Sequence, residues 1–442
     1  MTDGKGVRWL YGQLPELVDR GVLSADAASR LREHYGKPPA ARLGGMAHTI
    51  FATLGAVFIG CGIVLIFAHN WSSLPRVARV ILAFVPMLAG QVLVGWIIFT
   101  GRRSRALREG AGAFLALATG ACIALVSQAY NITGHDEALW LCWLLLTLPL
   151  AYLLDATFPA ALYLAGTVAF GGMRDSLVPY TWLLAAGAAP HFGLLFRRRP
   201  EGVRALISGW VIVAWAFSAL MLSAAESETE LYFVFLWTGF FTLLLLIGAL
   251  WGRDARPRWL RAFDVAGGLG VLVISYSLTF EWAWREMAHL VQWGRLIERA
   301  DTFDLVVLAV VLVGSLALWV HAVWLRRLLP AVAGGLTLVV LLGGTLADSD
   351  LSVIAGVLFN ACFLGFGVLC IADGLRRGRA GCAHGGTALV AILAATRFLD
   401  TELPFIARGV GFIVVGAGFL AATFALRRRM GGAGGAGGEA AQ

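Results

Sequence analysis

The residues best equipped for chemistry lie at the ends of apolar segments. His135-Asp136-Glu137 sets an imidazole beside two carboxylates, a pairing suited to general base work. No nucleophile is specified to go with it. The chain holds no Gly-x-Ser-x-Gly, no His-Glu-x-x-His and no phosphate-cradling glycine loop. The sequence therefore leans away from an enzyme. Arg397 lies about one turn inside the end of an apolar segment, with Asp400 at i+3 and Glu402 beyond. Its planar fork suits a carboxylate or phosphate. Neutral polar groups mark two further segment ends, Asn70-Trp71-Ser72-Ser73-Leu74-Pro75 and Gln128-Ala129-Tyr130. Read locally, these residues cap helices and form pairs that close a bundle. The sharper reading is one outward-facing pocket. In it Asn70, Trp71, Gln128, Tyr130, Arg397 and Asp400 contact a ligand, with Arg397 as the anion contact. Gln91, His135 and Asn360 are secondary candidates, because an amide inside an apolar helix more often bonds a neighbouring helix than a substrate. The six cysteines form no Cys-x-x-Cys and no Cys/His cluster, so no metal site and no cofactor are expected.

The elements that must position these groups are membrane spans. The chain is 59% hydrophobic and 14% charged, where a soluble domain carries about 25% charge. About 14 apolar stretches lie between Met46 and Leu426, most near the ~20 residues a crossing helix needs. Their connections are alternately basic and nearly free of Lys and Arg. Arg102 to Arg108, Arg197 to Arg204, Arg253 to Arg261, Arg326 and Arg327, Arg376 to Arg379 and Arg427 to Arg429 fall on one side. Gln128–Glu137, Glu226–Glu230 and Asp348–Asp350 fall on the other. Positive charge stays cytoplasmic, so a bacterial inner-membrane protein with both termini inside is expected. The net charge of +8 is then topology, and nucleic acid is not an expected partner.

The fold expected is thus an all-α polytopic bundle of about 14 spans over residues 46–426. A cytoplasmic helical hairpin precedes it over residues 1–45. A basic end and a flexible Gly/Ala tail follow over residues 427–442. The hairpin pairs Val7–Arg20 with Ala25–Tyr35, stopped at Gly21 and capped by Ser24. The first apolar run, near Met46, reads as a retained anchor rather than a cleaved leader. Leu139–Leu154 and Ala156–Gly172 are short, yet a single tilted helix there would put the arginines of 197–204 outside. Two passes turning at Asp155 are expected instead, with Pro149 and Pro159 as bends or breaks. Residues 281–304 are outside yet basic, and suggest a helix on the outer interface flanked by Trp282, Trp284 and Trp293.

Phe67-Ala68-His69-Asn70-Trp71-Ser72-Ser73-Leu74-Pro75 and Ala124-Leu125-Val126-Ser127-Gln128-Ala129-Tyr130-Asn131-Ile132-Thr133-Gly134 resemble the bacterial membrane family called domain of unknown function 2157 (DUF2157). The resemblance extends over roughly residues 7–155, including Leu14 to Leu31. Arg397-Phe398-Leu399-Asp400, Arg408-Gly409 and Arg427–Arg429 resemble the tail of such chains and of the DUF4401 group. The resemblance marks Asn70, Trp71, Gln128 and Tyr130 and implies no reaction. Three functions remain, in this order: a carrier or binding protein for a small polar or amphiphilic molecule taken from the outer face; a scaffold or sensor whose residues 7–35 dock a cytoplasmic partner; and a membrane enzyme.

Overall fold

In hydrocarbon no water satisfies a free peptide group, so long apolar runs close their own hydrogen bonds as helices. A computed structural model describes residues 4–35, 75–101, 104–132, 134, 136–225, 230–250, 257–284, 301–340, 349–399, 406 and 413. All regular structure among these residues is helical. Residues 1–81 and 82–442 form two compact units.

In the first unit α1 (Gly4–Asp19) and α2 (Ala25–Tyr35) pair as a hairpin around the buried Leu14 and Ala28. Gly21 turns the chain with φ +69°, a value that glycine adopts without a Cβ penalty. Ser24 Oγ then accepts the N–H of Ala27 at 3.2 Å, satisfying one orphan donor at the start of α2. The Tyr11 hydroxyl donates to the Arg32 carbonyl at 3.1 Å and ties the two helices together.

The helices that follow are α3 (Arg76–Phe99), α4 (Arg105–Tyr130), α5 (Asp136–Leu153), α6 (Thr157–Gly171), α7 (Val178–Ala186), α8 (Ala189–Arg198), α9 (Val203–Ala225) and α10 (Glu230–Leu250). After them come α11 (Leu260–Ser277), α12 (Thr302–Trp324), α13 (Leu328–Leu338), α14 (Ser349–Arg376) and α15 (Ala380–Leu399). Eight helices among the described residues are long and apolar enough to cross a bilayer: α3, α4, α5, α9, α10, α11, α12 and α14. Among the described residues, length and apolarity alone thus mark eight of the about 14 spans expected. The α6 and α13 helices are apolar but shorter, and the stretch expected over 178–196 is divided between α7 and α8. The expected first and last spans lie outside the described residues, apart from residues 406 and 413.

Between α5 and α6 the chain turns at Asp155, which has φ +48°. Pro149 sits inside α5. Pro159 sits in the first turn of α6, where a missing N–H removes no helical bond. The α7–α8 division has a similar cause. Pro190 stands in the first turn of α8 and offers no N–H to the turn before it. The chain tightens there, with Gly187 and Ala188 donating three residues back, to Leu184 and Ala185, at 2.9 Å each. The Tyr163 hydroxyl donates to the Leu184 carbonyl at 2.7 Å, and the Tyr152 hydroxyl donates to the Gly187 carbonyl.

Lipid supplies no hydrophobic drive between helices, so contact depends on small residues and close approach. Of the eight helices long and apolar enough to cross, the most enclosed is α10, with 67% of its apolar stretch buried by protein. Gly267 of α11 lies where a Cβ would come within 2.2 Å of the Leu245 nitrogen. Thr242 of α10 and Thr337 of α13 share a hydroxyl hydrogen bond of 2.6 Å. Trp284 departs from the expected interfacial position. It is buried in the core cluster around α10 and donates from Nε1 to the Leu278 carbonyl at 2.6 Å. Trp282 is exposed, while Trp293 lies outside the described residues.

Candidate ligand groove between α4 and α5

The groove follows from how α4 stops. Asn131 takes φ +50°, and its N–H closes on carbonyls of the last turn. Ile132 N–H reaches the Ser127 carbonyl at 2.9 Å, which completes a left-handed helix stop. Gly134, at φ +79°, sends the chain back, and α5 starts two residues later. Ser127, Gln128 and Asn131 from one helix end therefore face Asp136 from the next. Along the body of the groove α4 contributes Leu117, Gly120, Ala121 and Ala124, one stripe at helical spacing. The opposite wall is Leu139, Trp140 and Trp143 of α5, with Met173 at the rim. The hollow encloses about 680 Å³. Small residues on one wall create it and indole rings line the other.

Trp143 is fixed by glycine on two sides. Its Nε1 donates to the Ala116 carbonyl at 2.8 Å. A Cβ on Gly120 would stand 2.9 Å from that nitrogen, and one on Gly166 of α6 would stand 2.6 Å from the ring. Trp140 meets Trp143 edge to face at 5.4 Å. Gly166→Ala is expected to destabilise the protein by about 1–3 kcal/mol through overpacking. Gly193→Ala, where a Cβ would meet nothing within 4 Å, is expected to be neutral or mildly stabilising. SDS titration in mixed micelles measures both. Equal stabilities would show that Trp143 is not held by this clamp.

Arg397 has a different setting. Its Nε donates to Asn360 Oδ1 at 3.0 Å, and NH2 donates to the Thr279 carbonyl. Asn360 Nδ2 donates to that same carbonyl at 2.6 Å and to the Gly356 carbonyl at 2.7 Å. The guanidinium carbon lies 4.3 Å from the centre of the Phe280 ring, within cation–π range. One cation thus joins α14, α15 and the chain leaving α11.

A third polar centre surrounds Arg204, at the opposite end of α4. Glu109 accepts the N–H groups of Thr157 and Phe158 at 2.9 and 2.8 Å. It caps α6 from another helix, since Ala156 offers no side-chain cap of its own. Arg204 Nε donates to Thr157 Oγ1 at 2.9 Å and lies 3.5 Å from Glu109. Its NH2 donates to the Asp155 carbonyl at 2.7 Å.

Of the residues singled out from sequence, the structure brings Asn360 and Arg397 together. Gln128 lines the groove, whose lining includes neither of them. Tyr130 and Gln91 are exposed, on α4 and α3. Asn70, Trp71, His135 and Asp400 lie outside the described residues. Sequence reading passed over Ser127, Asn131, Trp140 and Trp143. The pattern was visible as small residues at 120, 121 and 124 followed by tryptophans at 140 and 143. The Glu109–Arg204 centre carried no sequence signal, because its partners are about 48 and 95 residues apart.

Apolar helices long enough to span, with ionised side chains gathered mainly at their ends, define a multi-pass α-helical membrane protein. Residues 15–160, a third of the chain, match the family described as predicted membrane protein (DUF2157). The match takes in α4, α5 and every lining residue of the groove except Met173. The likeness of the C-terminal part to the DUF4401 group has no counterpart in it. No curated protein and no solved structure matches the chain.

Proposed function

We propose that this protein binds a small amphiphilic molecule in the α4–α5 groove and acts as a carrier or binding protein for it in a bacterial inner membrane. The arginine-rich loops and both termini then lie in the cytoplasm, and the groove opens on the outer side. One observation carries this reading: the groove has two chemistries along its length. Its mouth is built from Ser127, Gln128, Asn131 and Asp136, and its body from alanine, leucine and tryptophan. Ligand sites generally combine an apolar body with a few placed polar groups. A lipid-facing dent would have no use for the polar mouth.

The test uses full-length protein in nanodiscs and a dodecyl maltoside brominated on its alkyl chain, which quenches nearby tryptophan. Saturable quenching is expected, with a large part lost in Trp140→Phe. Ala124→Phe fills the groove and is expected to weaken binding at least tenfold. Equal quenching of wild type and Ala124→Phe would overturn the reading. Uptake of the same probe into proteoliposomes separates a carrier from a binding protein.

A further inference from the structure

We infer that the head group taken by this groove is cationic, an ammonium carried on a single alkyl chain. The inference rests on the groove being a ligand site. Asp136 is the ionisable side chain among the described residues that line it. No ion pair to Asp136 forms among the described residues. The neighbouring Glu137 is paired with Arg174 at 2.7 Å and adds no net charge. The start of α5 contributes about half a positive charge from the helix dipole, so the mouth keeps a net negative field.

Ser127 and the two indoles point the same way. Ser127 spends its hydroxyl proton on the Ile132 carbonyl at 3.1 Å, which leaves its oxygen to accept. Gln128 and Asn131 each bring an amide that can accept through oxygen or donate through nitrogen, and so serve either sign of charge. Tryptophan, present twice in the wall, is the aromatic side chain most attractive to a cation. An anionic head would meet the Asp136 carboxylate with no basic side chain among the described lining residues. Arg397, the anion contact expected from sequence, does not line the groove and is engaged with Asn360, Thr279 and Phe280.

The experiment is titration calorimetry on the full-length protein in zwitterionic nanodiscs, with empty nanodiscs subtracted. The probes are dodecyl trimethylammonium, dodecyl sulfate and dodecyl maltoside, all below micelle formation. The ammonium is expected to bind about two- to fivefold more tightly than the sulfate, the scale of one solvent-accessible ion pair. Asp136→Asn is expected to abolish that preference. Ala124→Phe is expected to weaken all three. If the sulfate binds as tightly as the ammonium, or Asp136→Asn leaves the ratio intact while Ala124→Phe still blocks binding, the charge assignment is wrong and the groove stands. If no probe responds to Ala124→Phe, both fall together.

Discussion

Glu109→Ala is expected to lower the unfolding free energy in mixed micelles by about 2–4 kcal/mol. Its carboxylate accepts two backbone N–H groups at the start of α6, at 2.9 and 2.8 Å, and faces Arg204 at 3.5 Å. Alanine orphans both donors and leaves Arg204 with a weaker counter-charge. The Arg204 side chain is 16% exposed and that of Glu109 28%, so solvent screens the pair only in part. Glu109→Gln keeps one carbonyl oxygen able to accept and is expected to fall between wild type and alanine. The loss should appear as early opening of the α5–α6 turn, followed by hydrogen exchange at Thr157 and Phe158. Unchanged exchange at those two amides would show that the cross-helix cap does not hold the turn.

Arg397→Ala is expected to cost about 3 kcal/mol, with Arg397→Lys recovering less than half. Removing one partner from a part-buried charged network leaves the others without their bonds. Here Asn360 Oδ1 loses its donor, and the Thr279 carbonyl keeps only that from Asn360. Lysine can reach one acceptor but has no planar fork to serve both, and it meets the Phe280 ring as a compact, more strongly hydrated charge. Asn360→Leu is expected to cost less in the Arg397→Ala background than alone, because the two side chains form one unit, although it still strips the Thr279 carbonyl of its remaining side-chain donor. A shared outer pocket predicts something else: loss of ligand binding exceeding loss of stability. SDS unfolding and calorimetry on the same variant separate the two. A stable Arg397→Ala protein that no longer binds any probe would restore the shared pocket.

The helices were legible in the sequence because hydrocarbon permits so little else. Apolar length and the alternation of arginine carry most of the helices from α3 to α15, though not the division of residues 178–196 into α7 and α8. Asp155 shows the power of the second signal. Hydropathy alone allows one tilted helix there, and the charge of residues 197–204 decides against it. Which helix ends meet is another matter. Asn360 and Arg397 were each visible as polar residues in apolar runs, but nothing local says that both turn to the carbonyl of Thr279. Trp284 was misplaced for a related reason. Tryptophan near a span end suits an interface, and only packing around α10 makes this one internal. The groove residues were missed because glycine and alanine in a membrane helix read equally well as contact or as vacancy. Gly120, held against Trp143 at the edge of the hollow, is both.

The enclosure of α10 bears on how the chain is made. Synthesis runs from the N-terminus, so α10 is delivered to the bilayer before α11, α12 and α13 exist to cover it. Its apolar surface must therefore serve twice, first against lipid and later against protein, and its mean hydropathy of 2.3 meets the first demand. Its threonines are prepared for the interval. Thr238 and Thr242 donate to the carbonyls of Val234 and Thr238, each at 2.7 Å, so neither hydroxyl needs a later helix to satisfy its proton. Thr337 arrives nearly a hundred residues afterwards and adds its bond to a hydroxyl already paired. Assembly around α10 can thus wait for its partners without leaving either threonine hydroxyl stranded in the membrane.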